Sequence, residues 1–297
     1  MSTIDFMLKP NKKSTKYSWK VSVLRFLCVS SILLSVTVVS GCQRVGQASV
    51  PSVTDEKTPC AHLVVAGFPQ YGIEQTQNRF VCHQGYALAY NTQSKTPMWV
   101  VEHLTAEHLK TKNATRENDF RPDPDLPDRQ EASLESYRRS GFDRGHMAPA
   151  EDFRGSVSQM SESFFLSNMV PQNPENNRGI WADLEKNVRG WAVQRGDLYV
   201  ITGPIFYGGK PMGWIGRAPS QVAVPTYLYK IILDRHRRQI IAFVVPNQPA
   251  PVSQLSHYVV KLSDVERLTG LNFFPQLNPE QKQALSYQVP DGSWRLF

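Results

Sequence analysis

Paired cysteines, long apolar runs and surplus charge are all scarce in this chain of 297 residues. There are four cysteines, at positions 28, 42, 60 and 82, and no two form a Cys-x-x-Cys pair. That spacing argues against a structural zinc site, which needs close-set ligand pairs. The apolar run at residues 26–39 is shorter than the roughly 20 residues that cross a bilayer. No internal repeat is present, so a solenoid or propeller is not expected. The formal net charge is +7, but Lys9, Lys12, Lys13, Lys16, Lys20 and Arg25 face only Asp5 within the first 41 residues. Net +5 lies in that segment and only +2 in the rest. Global charge therefore says little about nucleic acid, and any attraction must come from local clusters. Arg138, Arg139 and Arg144 form one such cluster. The other, Arg235, His236, Arg237 and Arg238, sits between two strand-like runs and reads as a solvated hairpin turn.

What the N-terminus has is a basic region, a short apolar core and the small residues Val39-Ser40-Gly41 before Cys42. This is the order of an export signal over 1–41. The ending resembles a bacterial lipobox, which implies cleavage before Cys42 and lipidation of its sulfur. An ordinary signal peptide or a retained anchor helix are the alternatives. Gln43 follows, with no Asp at that place, and the resemblance then implies a cell-envelope protein held at the outer membrane. With Cys28 removed and Cys42 acylated, Cys60 and Cys82 remain in an oxidising compartment. They are expected to form one disulfide, or else to stay as two buried thiols.

Cutting 41 residues from 297 leaves 256, enough for a single domain with a sizeable core. Residues 42–59 read as a tether and 60–297 as the domain. Strand-like runs occur at 86–90, 98–104, 198–202, 227–233 and 239–245. Residues 113–131, rich in Asp, Pro and Arg, read as a surface loop. After Asn177, the residues Ile180, Leu184, Val188 and Trp191 mark one apolar stripe of a helix that Gly196 ends. A second helix is expected over 252–269, closed by Gly270. Strands and helices that do not alternate regularly predict an α+β fold.

The most informative run is Asp143-Arg144-Gly145-His146-Met147. Arg144 offers a rigid fork of donors that suits phosphate oxygens. Gly145 lets the backbone bend or approach closely. His146 can be neutral near pH 7 and so can serve as a general base. Downstream, residues 164–185 contain Ser167-Asn168, Pro171-Gln172, Asn177, Gly179, Trp181 and Glu185 in order.

These two blocks together resemble the DNA/RNA non-specific endonucleases of the ββα-metal, or His-Me finger, group. The resemblance covers about residues 60–278 and includes Pro97-Met98-Trp99-Val100-Val101-Glu102 and Thr202-Gly203-Pro204. It implies a central, mainly antiparallel sheet flanked by helices, with a hairpin-plus-helix active-site unit over roughly 140–190. It also implies His146 as general base and Asn177 as the one direct ligand of a Mg²⁺-type ion, with Mn²⁺ as a substitute. Glu185 resembles the acidic residue that holds water on the metal. Eight residues of straight helix would set it about 12 Å from Asn177 along the axis, so the chain near Gly179 must depart from a straight helix or Glu185 must act through water. Arg144 resembles the arginine near the scissile phosphate, and Asn168 the asparagine that supports the site. Arg116 resembles a phosphate-contacting arginine; as plain sequence it equally fits a loop residue paired with Asp119 or Asp123. Asp143 reads as structural. His62, His83, His103, His108 and His257 read as surface or packing residues, His103 being the one in a strand-like run.

The resulting expectation is a metal-dependent endonuclease that hydrolyses DNA and RNA, lipid-anchored to the membrane. Two other classes fit the same chain: a nucleic-acid-binding or adhesion protein on an inactive nuclease scaffold, and a phosphodiesterase of small nucleotides. The intact set Arg144, His146 and Asn177 weighs against decay. Oligomeric state is left open, a homodimer included.

Overall fold

The computed structural model describes residues 59–71, 77–127 and 130–296. The signal segment, Cys42 and residues 43–58 lie outside the described residues. Among the described residues no helix is long and apolar enough to cross a membrane.

In chain order the first strands are β1 (Gln70–Tyr71), β2 (Asn78–Cys82), β3 (Tyr86–Asn91), β4 (Thr96–Thr105), β5 (Asp143–His146) and β6 (Met169–Gln172). Then follow β7 (Asp197–Ile205), β8 (Gly213–Ile215), β9 (Val222–Val224), β10 (Tyr227–Asp234), β11 (Gln239–Pro246), β12 (Val259–Val260) and β13 (Leu271–Asn272). Seven of them build one sheet in the order β12-β11-β10-β7-β4-β3-β2, every pair antiparallel. All five strand-like runs read from the sequence fall inside β3, β4, β7, β10 and β11. The β10–β11 hairpin turns at Arg235–Arg238, as expected. Arg237 pairs with Asp234 at 2.8 Å and His236 with Asp197 at 3.0 Å, so part of that basic run is neutralised.

Both faces of the sheet are covered, so its central strands are buried or half-buried at every position. Alternation sends Val100, Val200, Leu228, Ile232 and Phe243 to one face. There they meet Ile180, Leu184, Val188 and Trp191 from the helix at Ala182–Arg195 and the turn before it. Each such buried side chain contributes about 1.5–3 kcal/mol over its exposed state, so the stripe docks the helix. Gly196 ends this helix with φ at +94°, a value an L side chain rarely adopts. On the other face Trp99 stacks on Phe68 at 5.7 Å and Tyr229 meets Phe273 edge-on at 5.6 Å.

Cys60 and Cys82 are joined in a disulfide that ties the first described residues to the end of β2. A loop of this length stabilises by about 3 kcal/mol. The expected helix over 252–269 is not continuous. A 3₁₀ stretch at Val252–Tyr258 gives way to β12, and the α-helix spans only Leu262–Thr269 before its Gly270 cap. The β-branched pair Val259-Val260 finds a free edge on β11 and joins the sheet there, so tertiary pairing overrides helical spacing.

Candidate active site

β5 and β6 form a two-stranded ribbon outside the main sheet, and His146 is its last paired residue, opposite Met169. Gly145 is required by a close approach: a Cβ there would lie 2.0 Å from Gln172 Oε1 and 2.6 Å from Gln172 Cβ. Immediately after His146 the chain is pinned by Asn168. Its Oδ1 accepts from Ala148 N at 2.9 Å, and its Nδ2 donates to Ala148 O and Ser163 O, each at 2.9 Å. Asn168 is wholly buried, so it holds the loop and does not reach a substrate. Asn247 fastens the ribbon to the end of β11, donating to Pro171 O at 3.0 Å and accepting from Asn173 N at 2.8 Å.

His146 packs edge-on against Phe164 at 5.0 Å and tilted against Phe120 at 5.5 Å. The residue is 9 % exposed. Its Nε2 is enclosed with no hydrogen-bond partner, which leaves Nδ1 as the nitrogen that can reach a ligand. Burial, reinforced by Arg116 and Arg144, lowers the imidazole pKa to about 3. The ring is therefore neutral at physiological pH. Arg144 lies over the Phe120 ring at 4.0 Å and Arg116 over Phe164 at 5.3 Å. Arg116 pairs with neither loop acid. Asp119 is taken by Arg121 at 2.6 Å and Asp123 by His83 at 2.9 Å. Both Arg116 and Arg144 line an open groove of about 920 Å³, together with Phe120, Tyr137, Asp143 and Asn177.

Asn173 and Pro174 start the next segment, with Asn173 Oδ1 capping Glu175 N and Asn176 N. Over Asn177–Trp181 the helix widens into a π turn, and Gly179 leaves helical values at φ −109° and ψ −108°. Such turns recur at functional sites. The straight-helix geometry that would separate Asn177 from Glu185 is thus broken between them. Asn177 Nδ2 donates to Asp143 Oδ2 at 2.9 Å, and its Oδ1 is left as an open acceptor. Asp143 is structural, as expected, and also holds Arg178 through two bonds at 2.7 and 2.9 Å. Burial raises the Glu185 carboxyl to about 7, against Lys230 and Arg189, and Arg116 also acts on it. Arg116 thus acts electrostatically on both His146 and Glu185.

Several residues at this site were not singled out by sequence reasoning. Asp152 is buried and pairs with Arg189 at 2.9 Å. Glu102, in β4, and Lys230, in β10, are each 1 % exposed on the sheet face beneath the site. Lys230 donates to Thr202 at 2.7 Å, whereas Glu102 Oε2 has no partner. Burial raises the carboxyl pKa of both Glu102 and Asp152. A lone charge inside the apolar runs 99–104 and 227–233 was the available signal. His83, Asp123 and Asp125 form the one metal-ligand-type group among the described residues. Its members are engaged with one another: Asp123 also accepts from the Ser167 hydroxyl and from Asp125 N. This brace links the disulfide end of β2 to the loop carrying Arg116 and Phe120. His103 is half-buried, stacked on Tyr199 and bonded to Asp197.

An oxygen-binding hard cation fits this donor set. Asn177 offers a carbonyl oxygen whose amide nitrogen is already committed to Asp143, a neutral oxygen of the kind such an ion accepts. Residues 65–280 match the family model described as DNA/RNA non-specific endonuclease. The chain is 37% identical over 283 residues to "Nuclease EXOG, mitochondrial" of Xenopus laevis, covering 89% of this chain and 77% of that protein. It is 32% identical over 272 residues to "Nuclease" of Nostoc sp., covering 86% of this chain and 95% of that one. The solved structure described as "Crystal structure of the EndoG/EndoGI complex: Mechanism of EndoG inhibition" superposes with a TM-score of 0.66 at 35% identity, over 74% of this chain and 93% of that chain. The antiparallel sheet, the β5–β6 ribbon carrying His146 and these likenesses agree: the chain belongs to the DNA/RNA non-specific endonuclease family.

Proposed function

We propose that this protein is a sugar-non-specific endonuclease that cuts DNA and RNA with His146 as general base and Asn177 as the direct ligand of a Mg²⁺-type ion, Mn²⁺ substituting. The observation that carries this reading is the enclosed, neutral imidazole of His146 set between two aromatic rings, each bearing an arginine. Arg144 and Arg116 bind oxygens of the scissile phosphodiester and orient it. His146 Nδ1 takes a proton from the attacking water, the ring being neutral and free to accept it. Asp143 holds Asn177 so that its Oδ1 faces the groove. Bound at Asn177, the ion supplies charge relief at the phosphoryl group and acidity for the leaving 3′ oxygen. Glu185 holds water at that place by hydrogen bonding. We further propose that the chain is exported and held at the outer membrane by a lipid on Cys42. The motive is the run Val39-Ser40-Gly41-Cys42. A mass spectrum with an unmodified N-terminus elsewhere refutes it.

The test is digestion of supercoiled DNA and of RNA with Mg²⁺, with and without EDTA. Both are cut with Mg²⁺ and spared with EDTA. Undiminished cutting in EDTA removes the metal from the mechanism. His146→Ala lowers turnover by about 10²–10⁴-fold with nucleic-acid binding retained.

A further inference from the structure

His83, Asp123 and Asp125 take no part in the proposed chemistry and meet where β2 ends and the 113–131 loop begins to turn. Asp123 is the buried hub. Burial pushes its carboxyl up, but hydrogen bonds from His83, Ser167 and Asp125 N outweigh that and hold it below the ordinary aspartate value. It is therefore ionised and can only accept. His83 Nε2, 2.9 Å from Asp123 Oδ2, is then the donor, which fixes the tautomer. In the neutral ring Nδ1 carries a lone pair and no proton. Among the described residues Nδ1 makes no hydrogen bond; it stands 3.8 Å from Asp125 Oδ2, too far for one.

Two electron-rich atoms thus share a gap. The His83 side chain is 4 % exposed and that of Asp125 is 59 % exposed, so one side of the gap is buried and the other opens to solvent. Bonds of about 2.0–2.1 Å to a histidine nitrogen and about 2.0–2.2 Å to a carboxylate oxygen let one ion reach both. The surroundings hold both groups in place. Tyr86 and Phe165 pack on the His83 ring at 4.8 and 5.0 Å. Asp125 N donates to Asp123 Oδ1 at 3.0 Å, and Asp123 N to Glu131 Oε2 at 2.9 Å. A carboxylate behind the far nitrogen of the ring is the usual support of a metal-bound histidine.

We propose that His83 Nδ1 and the Asp125 carboxylate bind one divalent cation of the zinc class, with water completing its shell and Asp123 orienting the histidine. An imidazole nitrogen beside a carboxylate suits Zn²⁺, whereas Mg²⁺ prefers oxygen alone. With two protein ligands the site is open and reversible, unlike the closed four-ligand kind. It is separate from the ion at Asn177 and does not rest on the nuclease reading. The ion clips the loop that carries Arg116 and Phe120 to the end of β2, beside the Cys60–Cys82 disulfide. Phe120 packs on His146, so the clip braces one wall of the active site.

The test is calorimetric titration of Zn²⁺ into the full-length protein with Mg²⁺ in large excess, which fills sites made of oxygen alone. The wild type takes up zinc in the micromolar range. Asp125→Ala weakens that uptake at least about tenfold, the loss typical even of a group behind a ligand. Asp125 is exposed and bonds Asp123 through its backbone N, so the variant keeps the fold. Asn177→Ala takes up zinc as the wild type does. Zinc raises the urea midpoint of the wild type and not of Asp125→Ala, because the ion binds only the folded chain. Nitrogen-15 spectra show zinc shifting Nδ1, not Nε2, of a single imidazole. Uptake unchanged in Asp125→Ala, or lost in Asn177→Ala, overturns the inference. So does a wild type that takes up no zinc, which marks a ring that answers Asp125 with a proton. None of these readouts depends on cleavage, so failure of the nuclease reading leaves them intact.

Discussion

Gly145→Ala tests whether the active-site ribbon is as tight as its geometry indicates. A Cβ at Gly145 would stand 2.0 Å from Gln172 Oε1, 2.9 Å from Gln172 Cδ and 2.6 Å from Gln172 Cβ. The terminal amide can swing aside, but Gln172 Cβ belongs to β6, whose register against β5 runs from Asp143↔Gln172 to His146↔Met169. Seating the methyl therefore requires the strands to part. It also breaks the 2.8 Å bond from Gln172 Nε2 to Asn176 Oδ1, between two fully buried side chains. Overpacking costs about 1–3 kcal/mol and an orphaned buried amide about 1–3 kcal/mol. The expected loss is about 2–6 kcal/mol, read as a lower urea midpoint at unchanged slope. Cleavage falls as well, since Arg144 and His146 flank the site of strain and Asn177 follows Asn176. Adding Gln172→Gly recovers part of the lost stability, whereas Gln172→Ala, which keeps the Cβ, does not. A Gly145→Ala protein with its urea midpoint and activity intact refutes this account of the ribbon.

Asp143→Ala frees the Asn177 amide and is expected to weaken Mg²⁺ about 10–100-fold; high Mg²⁺ then restores part of the rate, and an unaltered Mg²⁺ dependence counts against Asn177 as ligand. Asn168→Ala orphans Ala148 N and two carbonyls and lowers stability by about 2 kcal/mol or more, measured by urea unfolding; a shift below about 0.5 kcal/mol rejects its role as a pin. His146 remains neutral from pH 8 to pH 5, because its folded pKa is about 3 and not 6.5. This depressed value adds stability that is full above pH 6.5 and fades as pH falls toward 3. Carbon-13 imidazole shifts that titrate near 6.5 would contradict it. Glu185 behaves oppositely: raised to about 7, it must lose a proton to act as a carboxylate. Mg²⁺ affinity measured by calorimetry should weaken as pH drops through 7, and Glu185→Gln should remove that dependence.

The sequence alone determined what is local or periodic. The run 143–147 and the ordered residues Asn168, Asn177 and Glu185 identified the family, now matched over residues 65–280. The stripe Ile180, Leu184, Val188 and Trp191 set the helix, and alternating apolar runs set β3, β4, β7, β10 and β11, because side-chain period and strand propensity act over a few residues. Tertiary structure decided everything that joins distant positions. Whether Arg116 faced the groove or an acid depended on Arg121 and His83 taking Asp119 and Asp123. His146 is kept neutral by Phe120 and Phe164, from outside its motif. Residues 252–269 broke into two helical pieces because β11 offered an edge to Val259-Val260. Glu102 and Lys230, unremarkable single ionisable residues in the sequence, came to lie buried on one face of the sheet beneath the site once β4 and β10 flanked β7. Such outcomes rest on burial and on partners tens of residues away, and a one-dimensional pattern does not encode which of several acids or edges will be free when the chain folds.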